Sequence, residues 1–156
     1  MIGPIKQEVG AVGARLFYKN DTIQHAGVVL GVGWPGGVTD HFGVGAPRNE
    51  PGPLGNLALL RSVSAITGAC LEVRRESFNA VRGLDGANLA IAFNDVDFCL
   101  RLRERGYRNV WTPVAELYHY ESVSRGDDLS SEKLACLQKE AAYMCQRSGA
   151  SLDKDP

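Results

Sequence analysis

Asn94 to Ser122 reads NDVDFCLRLRERGYRNVWTPVAELYHYES, one helix followed by extended chain. Asn94 or Asp95 supplies the N-cap oxygen, and Gly106 stands just past the last helical residue. NVWTP (Asn109–Pro113) and AELYHYES (Ala115–Ser122) then read as two short extended segments. Upstream, ITGACLEV (Ile66–Val73) reads as a buried strand, and RESFNAVRG (Arg75–Gly83) as a short helix stopped by Gly83. Downstream, a helix from Ser130 puts Leu134, Leu137, Ala141 and Met144 on one face, and SLDKDP (residues 151–156) reads as a frayed tail. Helices alternating with strands make the fold class α/β, a mixed sheet with flanking helices.

The first sixty residues differ in texture, holding twelve of the eighteen glycines and five of the seven prolines. VGAVGARLF (Val9–Phe17) is apolar and suited to a strand. KNDT (Lys19–Thr22) is a turn cluster, and IQHAGVVLGV (Ile23–Val32) a second extended run, so a hairpin or two adjacent strands is expected. Residues 33–56 are too rich in Gly and Pro for regular structure and read as a long functional or mobile loop. Neither part is large enough for a separate domain, so residues 1–150 are read as one unit.

Charge and cysteine use exclude several classes. Seventeen basic against eighteen acidic side chains leave a net charge of −1, with no excess to attract a nucleic-acid backbone or an anionic membrane. The longest apolar stretch, GVVLGVGW from Gly27, falls far short of the ~20 residues of a membrane span. MIGPIKQEVG carries no signal-peptide core. Cys70, Cys99, Cys136 and Cys145 form no CxxC, which points to reduced, mostly buried thiols in a cytoplasmic protein.

Few residues offer chemistry. Gly31, Gly33 and Gly36 spell G-x-G-x-x-G, but VTDHFGVGAP follows where a dinucleotide site needs a helix. In the Asn94, Asp95, Asp97 cluster, helical spacing sets Asp95 beside Phe98, Cys99 and Leu102. There the helix N-terminus favours its ionised form and desolvation disfavours it, the balance of a general base. A plain helix-capping role fits the same spacing. His119, between Tyr118 and Tyr120, is either a metal-ligating imidazole or a packed histidine. His25 and His41 show no partner pattern and read as structural or loop residues. SVSRGDD (Ser122–Asp128) could meet phosphate through hydroxyls and Arg125, or only lead into the last helix.

AITGACLEVRRESFNAVRGLD (Ala65–Asp85) and NDVDFCLRLRERGYRNVWTPVAELYHYESVSRG (Asn94–Gly126) together resemble the C-terminal half of family 2 glycosyltransferases with a GT-A fold. The likeness is strongest to bacterial O-antigen and other surface-polysaccharide enzymes of rhamnosyltransferase type. VGAVGARLFYKNDTIQHAGVVLGVG (Val9–Gly33) resembles the segment that follows their Asp-x-Asp motif, so the likeness covers roughly residues 8–127.

The resemblance implies an inverting displacement in which a base, matched by Asp95, activates an acceptor hydroxyl against C1 of a nucleotide-sugar. It implies a saccharide or lipid-linked acceptor and a divalent cation, Mg or Mn, with His119 matching a metal ligand. Thr67, Gly68 and Asn94 match positions near sugar or acceptor, and Arg125 one near the diphosphate. Asn94 stands where many relatives have Glu, and Arg82 and Gly86 also depart from the pattern. No D-x-D precedes residue 95, and the nucleotide-binding half has no counterpart here. The expectation is therefore an acceptor-side half-domain, inactive alone, with an exposed face open to self-association. The alternative is a non-catalytic module that binds saccharide or a partner chain.

Overall fold

A computed structural model of the chain describes residues 8–33, 36–120 and 131–152. In chain order the elements are β1 (Val9–Phe17), β2 (Ile23–His25), β3 (Val28–Leu30), β4 (Thr39–His41), β5 (Arg61–Val63), β6 (Leu71–Val73), α1 (Arg75–Ala80), α2 (Asn94–Glu104), β7 (Arg108–Tyr118) and α3 (Ser131–Leu152). Single 3-10 turns occur at Pro53–Gly55 and Gly68–Cys70.

The principal sheet is mixed, ordered β2-β1-β7-β5, with β6 also paired to β1. β1 and β7 run parallel from Val9↔Arg108 to Phe17↔Tyr118. Between Ala14↔Thr112 and Arg15↔Glu116 the register jumps. Pro113 lies in the jump, and a proline has no N–H to give a neighbouring strand. The two extended segments expected on either side of Pro113 are thus one strand with an interruption. β1 carries Gly10 and Gly13 where neighbours crowd its backbone: a Cβ on Gly13 would collide with the side chain of Ile66.

Several sequence expectations need correction. Ile23–Val32 is not one strand. Gly27, at φ +100°, breaks it, sending β2 into the main sheet and β3 into a separate ribbon with β4. The 33–56 stretch contains β4 and is tied down along its second half. Ile23 and Ala46 share a backbone hydrogen bond of 2.8 Å, and the Arg15 guanidinium donates to the carbonyl of buried Leu57. Arg48 joins Asp21, Glu116 and Tyr118 across the same surface. Ile66–Val73 is a 3-10 turn followed by short β6 rather than a buried strand. β5 was not foreseen.

The helices follow expectation more closely. Gly83 ends the α1 region at φ +67°, its N–H bonded to Phe78 O at 2.9 Å, and Gly106 follows α2 at φ +84°. α3 runs to buried Leu152, two residues into the stretch expected to fray. Phe17 and Ile23 from the glycine-rich part meet Ile66, Phe98, Trp111 and Met144 in one core, all fully buried. Among the described residues no helix is long and apolar enough to cross a membrane. Cys99 is buried, but Cys136 and Cys145 are exposed, contrary to mostly buried thiols.

Candidate active site

Helix α2 begins without a side-chain cap. Phe93 takes the cap position in the left-handed conformation, φ 59°, so neither Asn94 nor Asp95 is the N-cap. Asp95 instead bridges two elements. Its Oδ2 accepts from Gly68 N at 2.6 Å and its Oδ1 from Val96 N at 2.8 Å. The partner turn holds its own shape, because Thr67 Oγ1 accepts from Ala69 N at 3.4 Å and opens the 3-10 turn. Thr67, Gly68, Asn94 and Asp95 are therefore brought together at one end of α2, with Asp95 half-buried. Its three helical companions Phe98, Cys99 and Leu102 are fully buried, so Asp95 forms the rim of that apolar face.

The carboxylate driven fully inside is Asp97. Arg101 Nε lies 2.8 Å from one of its oxygens and Arg147 Nη1, from α3, 2.5 Å from the other. α3 also grips the segment before α2. Glu140 accepts from Ile91 N at 3.0 Å and Ala92 N at 2.7 Å, and Tyr143 donates to Asp85 at 3.2 Å. Hydrogen bonds from Asn88 first, and Tyr143 among others, hold the Asp85 carboxyl below its ordinary range. Sequence reasoning missed Glu140, although a carboxylate beside Ala141 on an apolar helix face was a visible signal.

His119 follows β7 and belongs to a second cluster. Its backbone N–H donates to Phe17 O at 3.0 Å. Its ring Nδ1 lies 2.9 Å from Gln24 Oε1, while Gln24 Nε2 donates to His119 O at 3.2 Å. Nδ1–H donating to an amide oxygen leaves the lone pair on Nε2, the tautomer suited to a metal. Yet among the described residues no three His, Cys, Asp or Glu side chains converge as a cation site. His119 thus fits a single ligand, and these residues alone do not complete a site.

No hydrogen bond joins His119 to Asp95, but the two clusters meet at β2. Gln24 faces His119, while the ring of the next residue, His25, lies 3.5 Å from Thr67 N. His25 and His41, which show no partner pattern in the sequence, are 2.7 Å apart through their Nδ1 atoms. Arg125 and the Ser122–Asp128 stretch lie outside the described residues. The G-x-G-x-x-G glycines lead into β4, not into a helix, so the dinucleotide alternative lacks its phosphate-binding element. A groove of about 470 Å³ lies at the other end of α2, lined by Arg103, Tyr107, Asn109 and Ser151 among others. Of the expected site residues that are described, Thr67, Gly68, Asn94, Asp95 and His119, none lines it.

Comparison with known proteins adds the chemical context. The chain is 49% identical over 139 residues to the uncharacterized protein y4gI of Sinorhizobium fredii, covering 89% of this chain and 15% of that protein. It is 37% identical over 131 residues to the O-antigen biosynthesis protein RfbC of Myxococcus xanthus, covering 81% and 10%. It is 33% identical over 87 residues to the N-acetylglucosaminyl-diphospho-decaprenol L-rhamnosyltransferase of Mycobacterium tuberculosis, covering 56% and 28%. The likeness, in general terms, is to glycosyltransferases. The chain spans only 10–28% of the length of these curated relatives. No protein-family model and no solved structure matches it.

Proposed function

We propose that this chain is the acceptor-side part of an inverting, GT-A-type family 2 glycosyltransferase that builds surface polysaccharide in the cytoplasm. The donor is a nucleotide-sugar and the acceptor a saccharide or lipid-linked saccharide. One observation carries the reading: the Asp95 carboxylate is held by Gly68 N–H across the Thr67–Gly68 turn, half-buried at the start of α2. A carboxylate oriented by backbone donors keeps further lone pairs for a substrate hydroxyl. Asp95 takes the proton of that hydroxyl as its oxygen bonds to C1 of the donor. The C1–O bond to the diphosphate breaks, and the diphosphate leaves with the electron pair. His119 would be one ligand of a divalent cation, Mg or Mn, which would offset the charge on the departing diphosphate. Asn94, Thr67 and Gly68 are assigned to the acceptor side, and Arg125 to the diphosphate.

In the full-length parent, Asp95→Asn should lower kcat by about 10²–10⁴-fold, the usual worth of general-base catalysis. Nucleotide affinity should stay within about twofold, since the base touches the acceptor. Equal loss of turnover and nucleotide binding overturns the assignment.

A second reading, a non-catalytic module that pairs with another chain or itself, draws on β7. Val114 is 87% exposed there, and Leu117 and Tyr118 are about half exposed. Apolar surface of this kind is a common mark of a covered interface. A concentration-dependent dimer in sedimentation, with saccharide binding and no turnover in any longer form, supports this reading against the first.

A further inference from the structure

Outside the Asp95 cluster, His25 is a fully buried polar group with partners at both ring nitrogens. Its side chain sits on β2, in the run IQHAGVV, next to buried Gln24. Its Nε2 faces two backbone amides, Gly27 N at 3.3 Å and Thr67 N at 3.5 Å. An amide N–H can only donate, so Nε2 is the unprotonated ring nitrogen. The proton is then on Nδ1, which points at His41 Nδ1, 2.7 Å away. His41 accepts there and carries its own proton on Nε2, on the exposed side of β4. A doubly protonated His25 would set an N–H against both amides, and burial beside Arg61 and His41 opposes that charge as well.

This arrangement needs three separate pieces of backbone. Gly27 gives its N–H to the ring of His25 and then turns at φ +100°, where a Cβ would lie 2.8 Å from Val63 Cγ1. The β3–β4 ribbon pairs Val28 with His41 and so carries the acceptor ring to His25. The third piece is the turn whose next amide, Gly68 N, binds Asp95.

We infer that the His25–His41 pair positions the Thr67–Gly68 turn against Asp95, with His25 locked as the neutral Nδ1–H tautomer. His25 is a positioning residue, acting through Thr67 and Gly68 rather than on substrate. The catalytic meaning of that turn rests on the reading of Asp95 as base; the tautomer and its hold on the turn do not.

The test is ring ¹⁵N–¹H correlation NMR on the chain, which reports the protonation of each ring nitrogen without any variant. His25 should show an unprotonated Nε2 and a protonated Nδ1, and remain so near pH 5, where a free histidine is about 95% charged. An Nε2–H tautomer, or an imidazolium at that pH, overturns the proposal. Hydrogen exchange adds the positional readout. A glutamine oxygen reaches the Nε2 position and an asparagine oxygen does not. His25→Gln should therefore retain amide protection at Thr67 and Gly68, whereas His25→Asn should exchange there about tenfold faster. Leu100 and Leu102 in α2 serve as the control for global unfolding. Equal protection in both variants also overturns it. If Asp95→Asn leaves the parent's turnover intact, the base assignment falls while these ring and exchange results stand; a wrong tautomer removes this inference and leaves the Asp95 result untouched.

Discussion

Removing the Asp97 carboxylate would leave the guanidiniums of Arg101 and Arg147 facing a site in which that side chain is only 1% exposed. Truncating one partner of a buried ion cluster generally costs about 3–5 kcal/mol, because the charges left behind are neither paired nor hydrated. Asp97→Ala should show a loss of that size in urea denaturation, and adding Arg147→Met should recover part of it. His25 gives the second single-residue expectation. Burial first, then the charges of His41 and Arg61, drop its pKa from 6.5 to about 3. The unfolded chain therefore binds a proton that the folded chain refuses. The resulting stability is complete above pH 6.5 and declines as pH falls towards 3, by up to about 1.4 kcal/mol per pH unit. Asp21 and Asp85, held low chiefly by hydrogen bonds from Tyr118 and Asn88, add their losses only once pH falls through their ordinary value of 3.8, at the acid end of this window. Urea midpoints between about pH 5 and 6.5 should fall in the native chain and flatten in His25→Gln. Asp95 could be picked out by its place in a first helical turn. Which neighbouring carboxylate goes inside could not, since Asp95 and Asp97 differ only in which partners the fold brings to them.

Helix α3 acts on the site through one stripe, Glu140, Tyr143 and Arg147, spaced to share a face. Glu140 is the member with a local readout. Glu140→Ala removes the carboxylate that accepts from Ile91 N and Ala92 N, and a hydrogen bond to a charged group contributes about 1.5–3 kcal/mol. Hydrogen exchange at those two amides should quicken by roughly tenfold or more, while exchange inside α2 changes little. Helix termini were legible beforehand because a glycine with positive φ acts within one turn of chain, as Gly83 and Gly106 do. Strand limits were less legible. Ile23–Val32 carries only two polar side chains, Gln24 and His25, and its break falls at Gly27, where a side chain would meet Val63, a residue whose approach no local pattern announces. β5 and β6, three residues each, are strands by virtue of their partners β7 and β1 rather than of their own composition.

Sheet order joins the two compositional parts of the chain, because β1 lies parallel and adjacent to β7. Across that junction Arg48 meets Asp21, Glu116 and Tyr118 and stacks over Phe17, its guanidinium centre 4.3 Å from the ring. The same residue belongs to the long 33–56 stretch, so it pins that stretch to the sheet. Arg48→Ala should leave the core folded and speed limited proteolysis between residues 43 and 57 severalfold, with circular dichroism unchanged. An unchanged cleavage rate would mean that the Arg15 contact to Leu57 suffices. The α/β class, the positions of α1, α2 and β1, and the candidacy of Asp95 and His119 were all available from the chain alone. The elements depend on periodicity and turn chemistry acting over a few residues, Asp95 on its place in a first helical turn, and His119 on its imidazole and the family resemblance. Partner choice was not available: Gly68 meets Asp95 across 27 positions, Gln24 meets His119 across 95, and Tyr118 meets Asp21 across 97. Such contacts form only when the core closes and excludes water, since apolar burial selects the one packing that also satisfies these polar groups.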